Sequence, residues 1–150
     1  MPVIEHSIFI ALPPAKVFDF VSSYNNDTQW RAGIKVMSQN PPFTKLNTET
    51  HEIMRLMGSD YDTRAKVIEY VQDSKVTSKS TQGQMEFLGW RQVEPAEGGT
   101  KFTMHSEIGM SGGMMGLMAP VLAWLFSRRM SGDLNRVKAI LETKEETYLS

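Results

Sequence analysis

The sequence predicts an α+β fold, a curved antiparallel sheet closed around one long C-terminal helix. Two observations carry this. From Met114 to Leu141, the residues Met115, Met118, Leu122, Phe126, Met130, Leu134, Val137 and Leu141 keep one apolar stripe at helical spacing, while Arg128, Arg136 and Lys138 fall off it. Ahead of this stretch lies a series of short alternating segments separated by turn residues, the pattern of an antiparallel sheet with one face to bury. The strands come as a run of hairpins rather than alternating with helices, which separates this plan from a parallel α/β sheet.

Val3 to Leu12 alternates, with Ile4, Ile8 and Ile10 on the same side as His6, and reads as the first strand. Pro13 and Pro14 end it, and Pro14 suits a first helical turn, where its missing N–H is no loss. Val17, Phe18 and Val21 then make the apolar face of a short helix. Asp27 or Thr28 is the expected N-cap of a second helical turn carrying Trp30. Ile34 to Ser38 is the second strand. Four more follow at hairpin spacing, Thr48 to Met57, Tyr61 to Val71, Lys75 to Ser80 and Gln84 to Glu94, with turn-prone chemistry at Gly58-Ser59-Asp60, Gln72-Asp73-Ser74 and Gly83. Thr100 to Ile108 is the last of seven strands. Pro120 is expected near the start of the regular helix, because an interior proline costs about 3 kcal/mol.

At 150 residues the chain is expected to be one domain over residues 1–150, long enough to bury roughly 68 to 70% of its unfolded surface. A net charge of -1 argues against generic nucleic-acid binding. The absence of cysteine removes disulfides, thiolate metal sites and a cysteine nucleophile, and fits a cytoplasmic location. The N-terminus lacks a basic region and a long apolar core, so no signal peptide is expected, and the uncharged run from Ile108 to Ser127 is too broken by glycine and Pro120 for a membrane span. Eleven methionines, six of them near or within the last helix, suit either a pliable cavity wall or a tolerant core.

Three stretches resemble one family. IFIALPPAKVFDFVSSYNNDTQW is similar to the opening of the Bet v 1-like, START-related (SRPBCC) superfamily, in particular its polyketide cyclase/dehydrase and lipid-transport branch. WRQVEPAEGGTKFTMHSEI resembles that group's last hairpin, and GLMAPVLAWLFSRRMSGDLNRVKAILE its C-terminal helix. The resemblance runs in order over nearly the whole chain. It implies the helix-grip fold, seven strands wrapped around the helix with a hydrophobic pocket between and two short helices after the first strand. It offers no universal catalytic residue to carry over, and no cofactor and no metal are expected.

A pocket of this kind is lined by inward strand positions and the helix stripe. The candidates for ligand contact are Trp30, Met37, Met54, Phe87, Met104, Ser106, Met118, Leu122 and Phe126, each equally suited to ordinary core packing. Strand parity through Gly89 is open, because glycine can mark a bulge, so Trp90 and Arg91 are not assigned a face. His6, His51 and His105 have no metal-ligand spacing, and His105 pairs with Glu107 on the side opposite Phe102, Met104 and Ile108. Glu52 with Arg55, and Asp62 with Arg64, read as the wet face of the sheet. Arg128 and Arg129 read as a solvated ridge, with one of them within reach of a ligand carboxylate at the pocket mouth. Leu117, Val121, Trp124 and Leu125 form a second apolar helix face that fits a homodimer contact. Pro41 to Asn47 and the glycine-rich hinge before the helix are the expected entry routes for a ligand. The expected function is binding of a small hydrophobic molecule, lipid- or polyketide-like, between sheet and helix. The alternatives are a cofactor-independent cyclase or dehydratase of a polyketide-like substrate, which requires an ionisable side chain facing inward, and a partner-binding module that uses the apolar helix patch, with the cavity open or closed.

Overall fold

A computed structural model describes the backbone of residues 2–110 and 115–149, and the side chains of residues 2–109 and 119–143. The chain begins with β1 (Val3–Ile10), followed by α1 (Pro14–Val21), a 3₁₀ turn at Tyr24–Asn26 and α2 (Asp27–Trp30). Six strands come next: β2 (Ile34–Asn40), β3 (Glu49–Leu56), β4 (Ser59–Val71), β5 (Lys75–Gln82), β6 (Met85–Ala96) and β7 (Gly99–Met110). The last element is α3 (Met115–Leu149). All seven strands join one antiparallel sheet in the order β1-β7-β6-β5-β4-β3-β2, so the first strand closes onto the last.

The predicted succession of elements is the observed one. α1 starts with Pro14 at its first position and buries Val17, Phe18, Phe20 and Val21, as a proline-led helix with one apolar face requires. Pro120 lies inside α3 but near its start, as expected, because the helix begins at Met115. It stands just past the first turn, whose N–H groups have no partner within the helix in any case, so the bond it removes lies at the very start of the hydrogen-bonded ladder.

The helix stripe faces the sheet. Leu122, Met130, Leu134, Val137 and Leu141 are buried, while Met115 and Met118 fall outside the described side chains. Two apolar clusters result, one around Phe18, Trp30, Phe102, Leu134 and Val137, the other around Ile4, Met54, Leu56, Leu122 and Met130. Met104 packs against both. His6 donates or accepts a 2.8 Å bond with Ser127 Oγ and ties β1 to α3.

Gly89 marks no bulge. Pairing between β6 and β7 runs without a shift from Met85↔Met110 to Ala96↔Gly99, and the irregularities of the sheet fall elsewhere, at Ile34/Val36, Arg64/Ala65 and Val67/Glu69. Alternation therefore holds through β6 and puts Phe87, Gly89, Arg91 and Val93 on the helix side. Trp90 faces outward, stacked on its cross-strand partner His105 with ring centroids 4.7 Å apart, and His105 bonds Glu5 at 2.9 Å and Glu107 at 3.3 Å. On the second helix face, Val121 and Trp124 are exposed, but Leu125 packs onto the second apolar cluster, and Leu117 lies outside the described side chains.

Candidate functional site

A cavity of about 130 Å³ lies between the sheet and α3. Small residues leave room here, since Ala32, Ala65, Ser78, Gly89 and Ser106 all border the cavity. One end is apolar, formed by Ile4, Met54, Met85, Met104, Ile108 and Met130. The other is charged, with Arg31, Glu52, Arg91, Arg129 and Asp133 among its lining.

Of the predicted ligand contacts, Met37, Met54, Phe87, Met104, Ser106 and Phe126 line this cavity. Trp30 and Leu122 do not. Trp30 is fully buried in the first apolar cluster, edge-on to Phe102 at 6.2 Å, and Leu122 is buried in the second. Met118 falls outside the described side chains.

The charged end was not expected on the inside. Glu52 follows from the parity of β3: Thr50, Glu52, Met54 and Leu56 share one face, so a strand that points Met54 inward points Glu52 inward too. Arg55, its supposed partner on the wet face, is outside and bonds Asp60 at 3.1 Å. Glu52 instead accepts a 2.7 Å hydrogen bond from Arg31. Asp62 does belong to the exposed surface, where it bonds His51 at 2.9 Å.

Asp27 is not a cap. Asn26 holds the N-cap position of α2 without a side-chain bond, and the Asp27 carboxylate is fully buried between two guanidinium groups. Arg91 grips it with two bonds of 2.9 and 2.7 Å, and Arg31 adds a third of 2.9 Å. The Arg91 guanidinium also lies 4.6 Å from the Tyr24 ring centre and 5.0 Å from that of Trp30, so its charge is held by a carboxylate in plane and aromatic faces above. Burial pushes the Tyr24 hydroxyl above its ordinary pKa, with Arg91 opposing. Burial alone would lower the Arg31 pKa, but Glu52 and Asp27 outweigh it and raise it, so Arg31 stays charged. Asp133 is raised by burial, against the Ala32 N–H that it accepts at 2.8 Å and the nearby Arg31 and Arg136.

Arg128 and Arg129 part company. Arg128 is exposed and lies over the Trp124 ring at 5.1 Å, whereas Arg129 turns inward to the cavity wall, its Nη1 buried. No group of three or more metal-ligating side chains occurs among the described residues, and no described helix is long and apolar enough to cross a membrane.

The fold is shared with known structures at low sequence identity. A protein of Thermus thermophilus superposes with a TM-score of 0.83 at 13% identity, over 95% of this chain and 99% of that one. The Zhui aromatase/cyclase from Streptomyces sp. R1128 does so with a TM-score of 0.78 at 11% identity, over 93% of each chain. The di-domain ARO/CYC StfQ from the steffimycin biosynthetic pathway gives 0.78 at 12% identity, over 97% of this chain and 52% of that one. No curated protein matches the sequence. The model of a family described as polyketide cyclase/dehydrase and lipid transport matches residues 1–142. With its helix-grip fold and that match over nearly its whole length, the chain belongs to the polyketide cyclase/dehydrase and lipid-transport family.

Proposed function

We propose that this protein reversibly binds a small hydrophobic molecule with one polar end in the cavity between sheet and α3. The observation that supports this best is the division of the cavity into a methionine- and isoleucine-lined end and a charged end, the arrangement that buries a ligand's body and fixes its orientation. Burial of apolar surface supplies about 25 cal/mol per Å². A cavity of about 130 Å³ compares with the ~150 Å³ that accommodates a benzene ring, so the part of the ligand held here is the size of one ring, and the flexible methionines adapt the wall to larger shapes. The presence of the cavity counts against a partner-binding module that keeps it closed.

The test is native mass spectrometry of protein purified from its own host, before and after organic extraction. A reproducible extra mass that extraction removes supports the reading. If the protein carries no ligand and also fails to take up benzamide or other single-ring compounds at millimolar concentration, the reading falls.

A second reading, a cofactor-independent cyclase or dehydratase, is favoured by one specific observation: Glu52 and Asp133 face the same cavity as Arg129. A carboxylate removes a proton next to a carbonyl, and a guanidinium stabilises the enolate that forms. Against it, Glu52 is ion-paired with Arg31. Incubation of the extracted molecule with wild type and with Glu52→Gln decides: ring closure or loss of water that only the wild type produces supports catalysis, and an unchanged molecule leaves binding as the function.

A further inference from the structure

The charges of the cavity do not balance by pairing among themselves. Asp27 is shared by Arg91 and Arg31, and Glu52 is taken by Arg31. Asp133 accepts from the Ala32 N–H at 2.8 Å and from Arg136 at 3.0 Å. The acidic side chains at this end of the cavity are thereby engaged, and Arg129 is left over. Its Nη1 is buried with no hydrogen-bond partner among the described residues, although Asp133 stands only one helical turn away.

The neighbouring backbone is shaped around this guanidinium. Gly33 has a φ of +78°, and a Cβ there would lie 2.8 Å from Arg129 Nη1 and 2.9 Å from the Arg55 carbonyl oxygen. Any other residue would push the guanidinium away. Arg129 also borders both the internal cavity and the outer groove lined by Trp124 and Arg136, so it stands in the partition between the ligand space and the surface. A buried donor without an acceptor costs about 1–3 kcal/mol, and more when it is charged. Nη1 itself is covered at Gly33, so an anion in the cavity meets the guanidinium at its other N–H groups, and a carboxylate matches that fork.

We propose that the ligand is an anion, a small aryl or alkyl carboxylate whose carboxylate is received by Arg129 while its apolar body lies against Met54, Met85 and Ile108. This rests on the cavity-binding function proposed above and adds the ligand's chemical class. Isothermal titration of the full chain with benzoate and with benzamide, which share a ring and nearly a shape, tests it in wild type, Arg129→Met and Arg129→Lys. The expected result is a preference for benzoate of roughly tenfold or more in wild type, the scale of a charged hydrogen bond. Arg129→Met abolishes that preference, and Arg129→Lys retains part of it. Equal affinities in wild type, or a preference that survives in Arg129→Met, overturn the anion site while cavity binding stands. If neither compound binds, both fall. Should Arg129→Met fail to fold, the wild-type comparison and its weakening by salt decide alone, since screening acts on benzoate and not on benzamide.

Discussion

Arg91 on β6 and Asp27 at the start of α2, 64 positions apart in sequence, meet inside the protein through two parallel hydrogen bonds of 2.9 and 2.7 Å. Arg91 Nη1 also donates to the Val21 carbonyl at 2.9 Å, so one side chain anchors α1 and α2 to the sheet. This clamp fixes the segment that delivers Arg31 and Ala32 to the cavity.

The two halves of the clamp differ in what their loss leaves behind. Asp27→Ala leaves the buried Arg91 charge without a carboxylate and is expected to cost about 3–5 kcal/mol, the scale for breaking a buried ion pair. Arg91→Met leaves Asp27 still bonded to Arg31 and is expected to cost less. Urea unfolding of both variants checks the order, and a larger loss for Arg91→Met would show that the Val21 and aromatic contacts matter more than the charge.

Gly33→Ala combines an unfavourable φ with a clash, whereas Gly58→Ala, at φ +82° with nothing within 4 Å, carries the backbone strain alone. Strain of this kind costs on the order of 1–3 kcal/mol. Gly33→Ala is expected to be the more destabilising of the two and to displace Arg129. Thermal unfolding of the pair measures the difference, and equal losses would mean that the guanidinium moves aside freely.

Asp133 carries a pH signature. Because burial raises its pKa in the folded state, the stability from this group is present below the ordinary carboxylate value of about 3.9 and is lost as pH rises through the raised one. Arg31, Arg136 and the inward Arg129 face the same region. Asp133→Asn keeps the acceptor for the Ala32 N–H and removes the titration. Stability of wild type minus that of Asp133→Asn, from urea unfolding across roughly pH 4 to 8, is expected to fall as pH rises, and a rise would reverse the assigned sign.

Ala65→Leu places a large side chain in the cavity from β4, where Ala65 is buried on the lining. Overpacking costs about 1–3 kcal/mol. Affinity for single-ring compounds is expected to drop at least about tenfold, or 1.4 kcal/mol, measured by titration calorimetry. Unchanged affinity would place the ligand outside this cavity.

The fold was legible because its signals are local and repeated. The stripe from Leu122 to Leu141 is a helix wherever it occurs, the hairpin turns punctuate the strands, and Pro14 and Val17 to Val21 announce α1. The apolar half of the cavity was legible for the same reason, since Met37, Met54, Phe87 and Met104 lie on faces that alternation assigns. Glu52 was legible in principle, two residues from Met54 on one strand, but an isolated charge on a strand reads as solvent-facing until its partner is known.

By itself the sequence determined the order of elements, the antiparallel plan, the apolar faces of helix and strands and the family. The tertiary structure alone decided that Asp27 is an ion-pair partner and no cap, that Gly89 keeps β6 in register and so turns Arg91 inward, and that Arg129 and Arg128 separate. The physical reason is that burying a charge is decided by its partners. Apolar faces are written in the spacing of neighbours along the chain, while Arg91 finds Asp27 across 64 positions, and Glu52 finds Arg31 across 21, distances at which only the folded chain brings groups together.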